Sequence, residues 1–95
     1  MYTVYIVLQF LMQLRVLFFA AAREAAGGDS ELALDVPEGT TCAQLLQLLA
    51  ERPTCSGLRA LLGDLACAVN EKYVAADTQL QDQDTVAVMP PISGG

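Results

Sequence analysis

Histidine and tryptophan are absent from these 95 residues, and basic side chains are scarce, with five Lys and Arg against eleven Asp and Glu. Each shortage removes a class of function. Without His the commonest general base and the commonest zinc ligand are missing, and no Ser/His/Asp or Cys/His arrangement can be built. The net charge of −6 argues against nucleic acid and anionic membranes, because phosphates need clustered Lys and Arg. It suits docking on basic protein surfaces. Cysteine is sparse as well. Cys42, Cys55 and Cys67 are odd in number, widely spaced and without a Cys-x-x-Cys, which argues against a disulfide framework or a metal site. Cys42 on an apolar helix face and Cys67 in an apolar strand read as core thiols in a reducing cytosol.

What is present is apolar: 54% of the residues are hydrophobic, enough for the one modest core that a chain of this length can bury. Residues 1–11 form an apolar extension that runs into Leu14 to Ala20. No Lys or Arg precedes it, and Gln9, Gln13 and Arg15 interrupt the run, so neither a signal peptide nor a membrane span fits well. Met12 can serve as the functional start. The extension is expected to be dispensable for folding and of β character where ordered.

From there the elements follow in order. Leu14 to Ala20 reads as a central strand. Ala21 to Ala26 is a short helical turn closed by Gly27-Gly28, which lack the spacing and Lys of a phosphate loop. Glu31 to Val36 alternates, with Leu32, Leu34 and Val36 on one face. Thr41-Cys42-Ala43-Gln44 has capping-box spacing. It predicts a helix from Cys42 to about Arg52 with a Cys42/Leu45/Leu46/Leu49 stripe widened by Leu48, ended by Pro53. Thr54 to Gly57 reads as a loop and Leu58 to Leu62 as a second short helix. Leu65 to Val69 is a strand, Asn70-Glu71-Lys72 turns the chain, and Tyr73-Val74 returns it. Leu80 should plug the loop before the last strand, Thr85 to Met89. Asp82 and Asp84 are expected to be solvated turn formers rather than an acid/base pair.

A hairpin, a covering helix and later strands of the same sheet make an α+β roll, with the first and last strands parallel at the centre. This is the ubiquitin-like β-grasp topology: a mixed sheet, one main helix and a short second one, spanning residues 12–89. The last strand then meets Pro90-Pro91, which cannot continue a sheet ladder. Ile92-Ser93-Gly94-Gly95 follows, thin enough to thread a channel closed to larger side chains. Pro90, Pro91, Ile92, Ser93 and Gly94 are the expected threading segment of a reactive tail over residues 90–95. The carboxylate of Gly95 is the expected reactive group. A carboxylate needs activation, and adenylation by ATP followed by attack of a sulfur nucleophile would leave a thiocarboxylate. The chemistry must come from partners, because the chain holds no catalytic constellation.

Leu14-Arg15-Val16-Leu17-Phe18-Phe19-Ala20 with Arg23-Glu24 resembles the opening of the small, sulfur carrier subunit of molybdopterin synthase. Ala68-Val69-Asn70-Glu71-Lys72-Tyr73-Val74 resembles that family's third-strand hairpin, and Leu80 to Ala87 with Pro90-Pro91-Ile92-Ser93-Gly94-Gly95 resembles its end. The likeness covers about residues 12–95. Gln83 departs from it, standing where the family usually has Gly between two turn aspartates, at a position that can require φ > 0. Residues 1–11 have no counterpart.

The resemblance implies a cytoplasmic sulfurtransferase subunit of molybdenum cofactor biosynthesis. An E1-like enzyme would adenylate Gly95 with ATP and sulfurate it. Sulfur would then pass to cyclic pyranopterin monophosphate in a heterotetramer with the synthase's large subunit. No cofactor of the chain's own, metal, nucleic acid or membrane is implied. A sulfur carrier for thiamine synthesis or tRNA thiolation, or a ubiquitin-like protein modifier, is the alternative on the same fold.

Overall fold

Strict alternation of buried and outward residues from Leu11 to Phe18 makes the first strand, β1. Met12, Leu14, Val16 and Phe18 point into the core, each 4% exposed or less. In the computed structural model, which describes residues 10–90, this strand begins and ends earlier than the apolar run suggests. Leu11 already pairs with Pro37, so the expected extension overlaps the sheet by one residue. Ala20 does not prolong the strand. It opens helix α1 (Ala20–Ala25), because the ladder gives out after Phe19 donates to the Val88 carbonyl at 3.1 Å.

Strand β2 (Glu31–Pro37) runs antiparallel to β1, and its Leu32, Leu34 and Val36 face inward as the alternation predicts. Helix α2 (Cys42–Ala50) starts on the complete capping box: Thr41 Oγ1 accepts from the Gln44 N–H at 3.2 Å, and Gln44 Oε1 accepts from the Thr41 N–H at 3.0 Å. Cys42, Leu45, Leu46 and Leu49 form its buried stripe. Leu48 does not belong to it and is exposed. The segment expected to be a loop and a helix is instead a run of 3₁₀ turns over Pro53–Asp64, broken at Cys55 (φ −112°, ψ 20°). Cys55 and Leu58 are buried there. Gly27 permits the packing of this run on α1: a Cβ at Gly27 would lie 2.7 Å from the Thr54 carbonyl oxygen.

Strands β3 (Ala66–Val69) and β4 (Lys72–Tyr73) form a tight hairpin whose two turn residues, Asn70 and Glu71, have φ of 51° and 75°. Leu80 is buried as the expected plug. Strand β5 (Thr85–Met89) then enters the middle of the sheet, giving the order β2-β1-β5-β3-β4. It pairs parallel to β1 from Arg15↔Thr85 to Phe18↔Val88, as the α+β roll requires.

The turn before β5 is more than a solvated link. Asp82 Oδ1 accepts from the Gln13 N–H at 2.7 Å, and Gln83 N–H donates to the Gln13 carbonyl at 2.8 Å. Asp84, expected to be solvated, is only 9% exposed. Its carboxylate accepts from Asn70 Nδ2 at 2.9 Å and from the Gln81 N–H at 2.8 Å, so it is a joint rather than a surface charge. Between these aspartates Gln83 holds φ 72°, in the left-handed region. That conformation costs a side-chain-bearing residue about 1 kcal/mol. Gln83→Gly should therefore raise unfolding stability by about 1 kcal/mol. Urea denaturation measures it, and an unchanged or lower midpoint would contradict a strained turn.

Candidate functional site at the root of the tail

The alternation that buries one face of the sheet fixes what the other face carries. Residues opposite one another in the ladders share a side. One row therefore crosses the outer face as Glu31, Leu17, Ala87, Ala68 and Tyr73. The small Ala87 and Ala68 sit in the middle, flanked by Phe19 and Tyr73, which are 47% and 61% exposed. Tyr73 Oη lies 4.0 Å from Met89 Sδ, so the phenol reaches along the face toward the end of β5. The result is a shallow hollow of about 490 Å³, with Leu17, Phe19, Ala68 and Ala87 as its apolar lining and Arg15, Asn70, Glu71 and Thr85 at its rim.

Arg15 and Glu31 guard one side of it. Arg15 Nε donates to Glu31 Oε2 at 2.7 Å and Arg15 Nη2 to Glu31 Oε1 at 3.1 Å. These hydrogen bonds hold the Glu31 carboxyl below its ordinary range and the guanidinium above its own. Both side chains are at least half exposed, so the pair orients the rim more than it stabilises the fold.

Met89 and Pro90, both half-buried, end the described chain at the upper end of this face. Of the expected threading segment, only Pro90 is described. Pro91, Ile92, Ser93, Gly94 and Gly95, the expected reactive residue, lie outside the described residues.

The three cysteines take no part in the outer face. All are buried, Cys42 at 1%, Cys55 at 3% and Cys67 at 6% exposure. Burial pushes the Cys67 thiol up to about 12, with the neighbouring Cys42 adding to the shift, and burial raises Cys42 as well. A thiol so protonated is a poor nucleophile and sulfur acceptor. Among the described residues no group of acidic or thiol side chains is arranged to hold a metal ion. No helix there is long and apolar enough to cross a membrane.

The ThiS family model matches residues 16–95, from the third buried residue of β1 to the last glycine. The chain belongs to the ThiS family. Among its relatives, the molybdopterin synthase sulfur carrier subunit of Escherichia coli is 41% identical over 83 residues, 86% of this chain and 99% of that protein. The Haloferax volcanii HVO 2177 protein superposes with a TM-score of 0.77 at 29% identity, over 90% of this chain and 88% of the other. Subunit 1 or 2 in the complex of molybdopterin-converting factor from Helicobacter pylori superposes at 0.60 with 26% identity, covering 88% of this ThiS-family chain and all of that one. A Caldiarchaeum ubiquitin, only 14% identical, superposes at 0.59 over 90% of this chain and all of its own, which shows the ubiquitin-like β-grasp fold.

Sequence reasoning missed the outer face of this family member. Leu17 and Phe19 lay inside an apolar run read as one central strand with no outer face assigned, and only the strand pairing shows that Ala68, Ala87 and Tyr73 join Leu17. The available signal was parity: Leu17 is odd-numbered in a strand whose even residues fill the core, and Phe19 follows two residues on, just past the strand's end.

The raised thiols make stability depend on pH. The unfolded chain would lose the Cys67 proton near pH 9 and the native chain only near 12. Between those values the unfolded state holds fewer protons, so stability falls as pH rises. Urea unfolding at pH 8 and 10.5 should show that loss, and Cys67→Ala should flatten it while lowering stability at pH 8. A Cys67→Ala slope equal to that of the natural chain would contradict this assignment.

Proposed function

We propose that this chain is the sulfur carrier subunit of a cytoplasmic molybdopterin synthase and works through its C-terminal carboxylate. The supporting observation is the position of β5. A central strand held on both sides ends at Met89-Pro90 beside an apolar outer face, and five more residues ending in Gly94-Gly95 follow. The outer face offers a docking surface and the tail offers a reach of about 17 Å beyond Pro90. The E. coli relative carries the sulfur carrier name, and the H. pylori likeness comes from a complex of two subunits.

In this reading an E1-like enzyme docks on the outer face and receives the tail. The Gly95 carboxylate attacks the α-phosphorus of ATP, and pyrophosphate leaves. A sulfur nucleophile attacks the acyl carbon, AMP leaves, and a thiocarboxylate remains. The same face then docks on the synthase's large subunit in a heterotetramer, and the tail delivers sulfur to cyclic pyranopterin monophosphate. Pro90 and Pro91 stiffen the exit, and Ile92, Ser93 and Gly94 thread the partner's channel. The buried thiols carry no sulfur. A carrier for thiamine synthesis or tRNA thiolation, or a protein modifier, would share the tail chemistry but not the pterin product.

Deleting Gly95 moves the carboxylate back by about 3.3–3.6 Å, and an error of even 1 Å at reacting atoms can cost about 10²-fold in rate. Appending Ala overshoots and brings a methyl group into the channel. After incubation with the activating enzyme, ATP and a sulfur donor, intact mass should show one oxygen-to-sulfur exchange in the natural chain and none in either variant. Efficient thiocarboxylate formation and pterin conversion by the Ala-extended chain would rule out the terminal-carboxylate reading.

A further inference from the structure

The hollow at the root of the tail has two unlike walls. On one side Arg15 and Glu31 bind each other through two hydrogen bonds, so their charges cancel. Theirs is the one ion pair among the described residues. On the other side stand Asn70 and Glu71, the turn between β3 and β4. Asn70 is committed within the fold: its Nδ2 donates to Asp84 Oδ1 at 2.9 Å, and its Oδ1 accepts from the Thr85 N–H at 2.9 Å. Glu71 is exposed, and among the described residues no Lys or Arg pairs with its carboxylate. Its neighbour Lys72 lies opposite Val69 in the ladder, on the other side of the sheet from Tyr73 and the hollow. Residues 1–9 and 91–95 include neither Lys nor Arg. The hollow thus has an apolar floor, one neutralised wall and one lone carboxylate.

Turn chemistry does not account for Glu71. A two-residue hairpin turn of this kind needs φ > 0 at both positions, which suits Asn-Gly. Asn70 meets that need at φ 51°, but Glu71 is held at φ 75° with a full side chain. A turn selected for stability alone would carry Gly there. Backbone strain of this sort concentrates at binding sites. Here it places a charge at the rim of the hollow, on the face where Tyr73 reaches toward Met89 and the tail root.

Resting on the sulfur-carrier reading, we propose that the large subunit of the synthase seats one basic side chain, Arg or Lys, in this hollow. Its aliphatic stem lies on Leu17, Ala68 and Ala87, and its charged head pairs with the Glu71 carboxylate. Long basic side chains cover apolar surface with their stems while the head stays in a polar setting. A purely apolar side chain would fill the same floor but leave Glu71 partly desolvated and unpaired, which is costly. The net charge of −6 draws a basic surface toward the chain in general, and Glu71 fixes where that surface lands.

Surface plasmon resonance of the full chain on immobilised large subunit, at about 50 and about 300 mM NaCl, tests the pairing. Glu71→Gln keeps the strained backbone and removes the charge. Its affinity should fall about threefold to fivefold at the lower salt, mainly through slower association, and its salt dependence should flatten. Glu71→Lys should lose about tenfold or more. Glu71→Gly should bind as weakly as Glu71→Gln yet unfold at a higher urea concentration, because Gly relieves the turn. A residue with a merely structural role would not lose affinity while stability rises. Glu38→Gln removes an exposed charge in the turn after β2, away from the hollow, and should bind like the natural chain. Equal affinity and equal salt dependence in the natural chain and Glu71→Gln would overturn the pairing and leave the carrier reading standing. Equal losses in Glu38→Gln and Glu71→Gln would do the same, because net charge alone would then explain them. A natural chain that does not bind the large subunit would overturn the carrier reading and the pairing with it.

Discussion

The parallel pairing of β1 with β5 is the constraint on which the rest depends. It is the only parallel contact in the described sheet, and it joins the two ends of the domain. Parallel neighbours cannot be joined by a tight turn, so everything between them serves as a crossover and a cover. Helix α2 and the 3₁₀ run roof one face of the pair, and β2 and β3 flank it. Because β5 is held on both sides, the point where the chain leaves the sheet is fixed at Met89-Pro90.

Two polar devices set the register of that pair. The first is the Asp82–Asp84 turn, whose side chains and backbone bond to Gln13, Gln81 and Asn70. The second is Asn70, which donates from Nδ2 to Asp84 and accepts at Oδ1 from the Thr85 N–H at 2.9 Å. Together they join the start of β5 to β1 and to the β3–β4 turn. A slip of one residue would turn Val86 and Val88 outward and Ala87 inward, destroying core and outer face at once. The buried carboxylate of Asp84 is thus tied to the outer surface through the ladder.

Much of this was legible in the residues themselves. The capping box at Thr41 and Gln44, the period-two pattern of β2, the Leu80 plug and the two prolines after Met89 each carry a local physical signal, and the fold follows from their order. Other features have no local signal. Thr54 to Gly57 looked like a loop because 3₁₀ turns lack a strong side-chain period, and Leu48 sat at helical spacing yet one position off the buried stripe. Asp84 looked solvated because its partner Asn70 lies 14 residues away. The outer face was hidden for the same reason: it is assembled from four strands, and only pairing brings Leu17, Ala87, Ala68 and Tyr73 into one row. The tail chemistry is an expectation from the sequence alone, from a strand stop followed by a side-chain-poor stretch, and rests on residues beyond the described ones.

The central claim is that the outer sheet face docks the protein that takes the tail. Amide chemical-shift mapping of the isotopically labelled chain, titrated with the large subunit of molybdopterin synthase, tests it most directly. The account predicts shifts concentrated at Leu17, Phe19, Ala68, Tyr73, Ala87 and the residues after Met89, with α2 and the Pro37–Thr40 turn unmoved. Shifts centred on Gln44, Gln47 and Leu48, with the outer face silent, would contradict it.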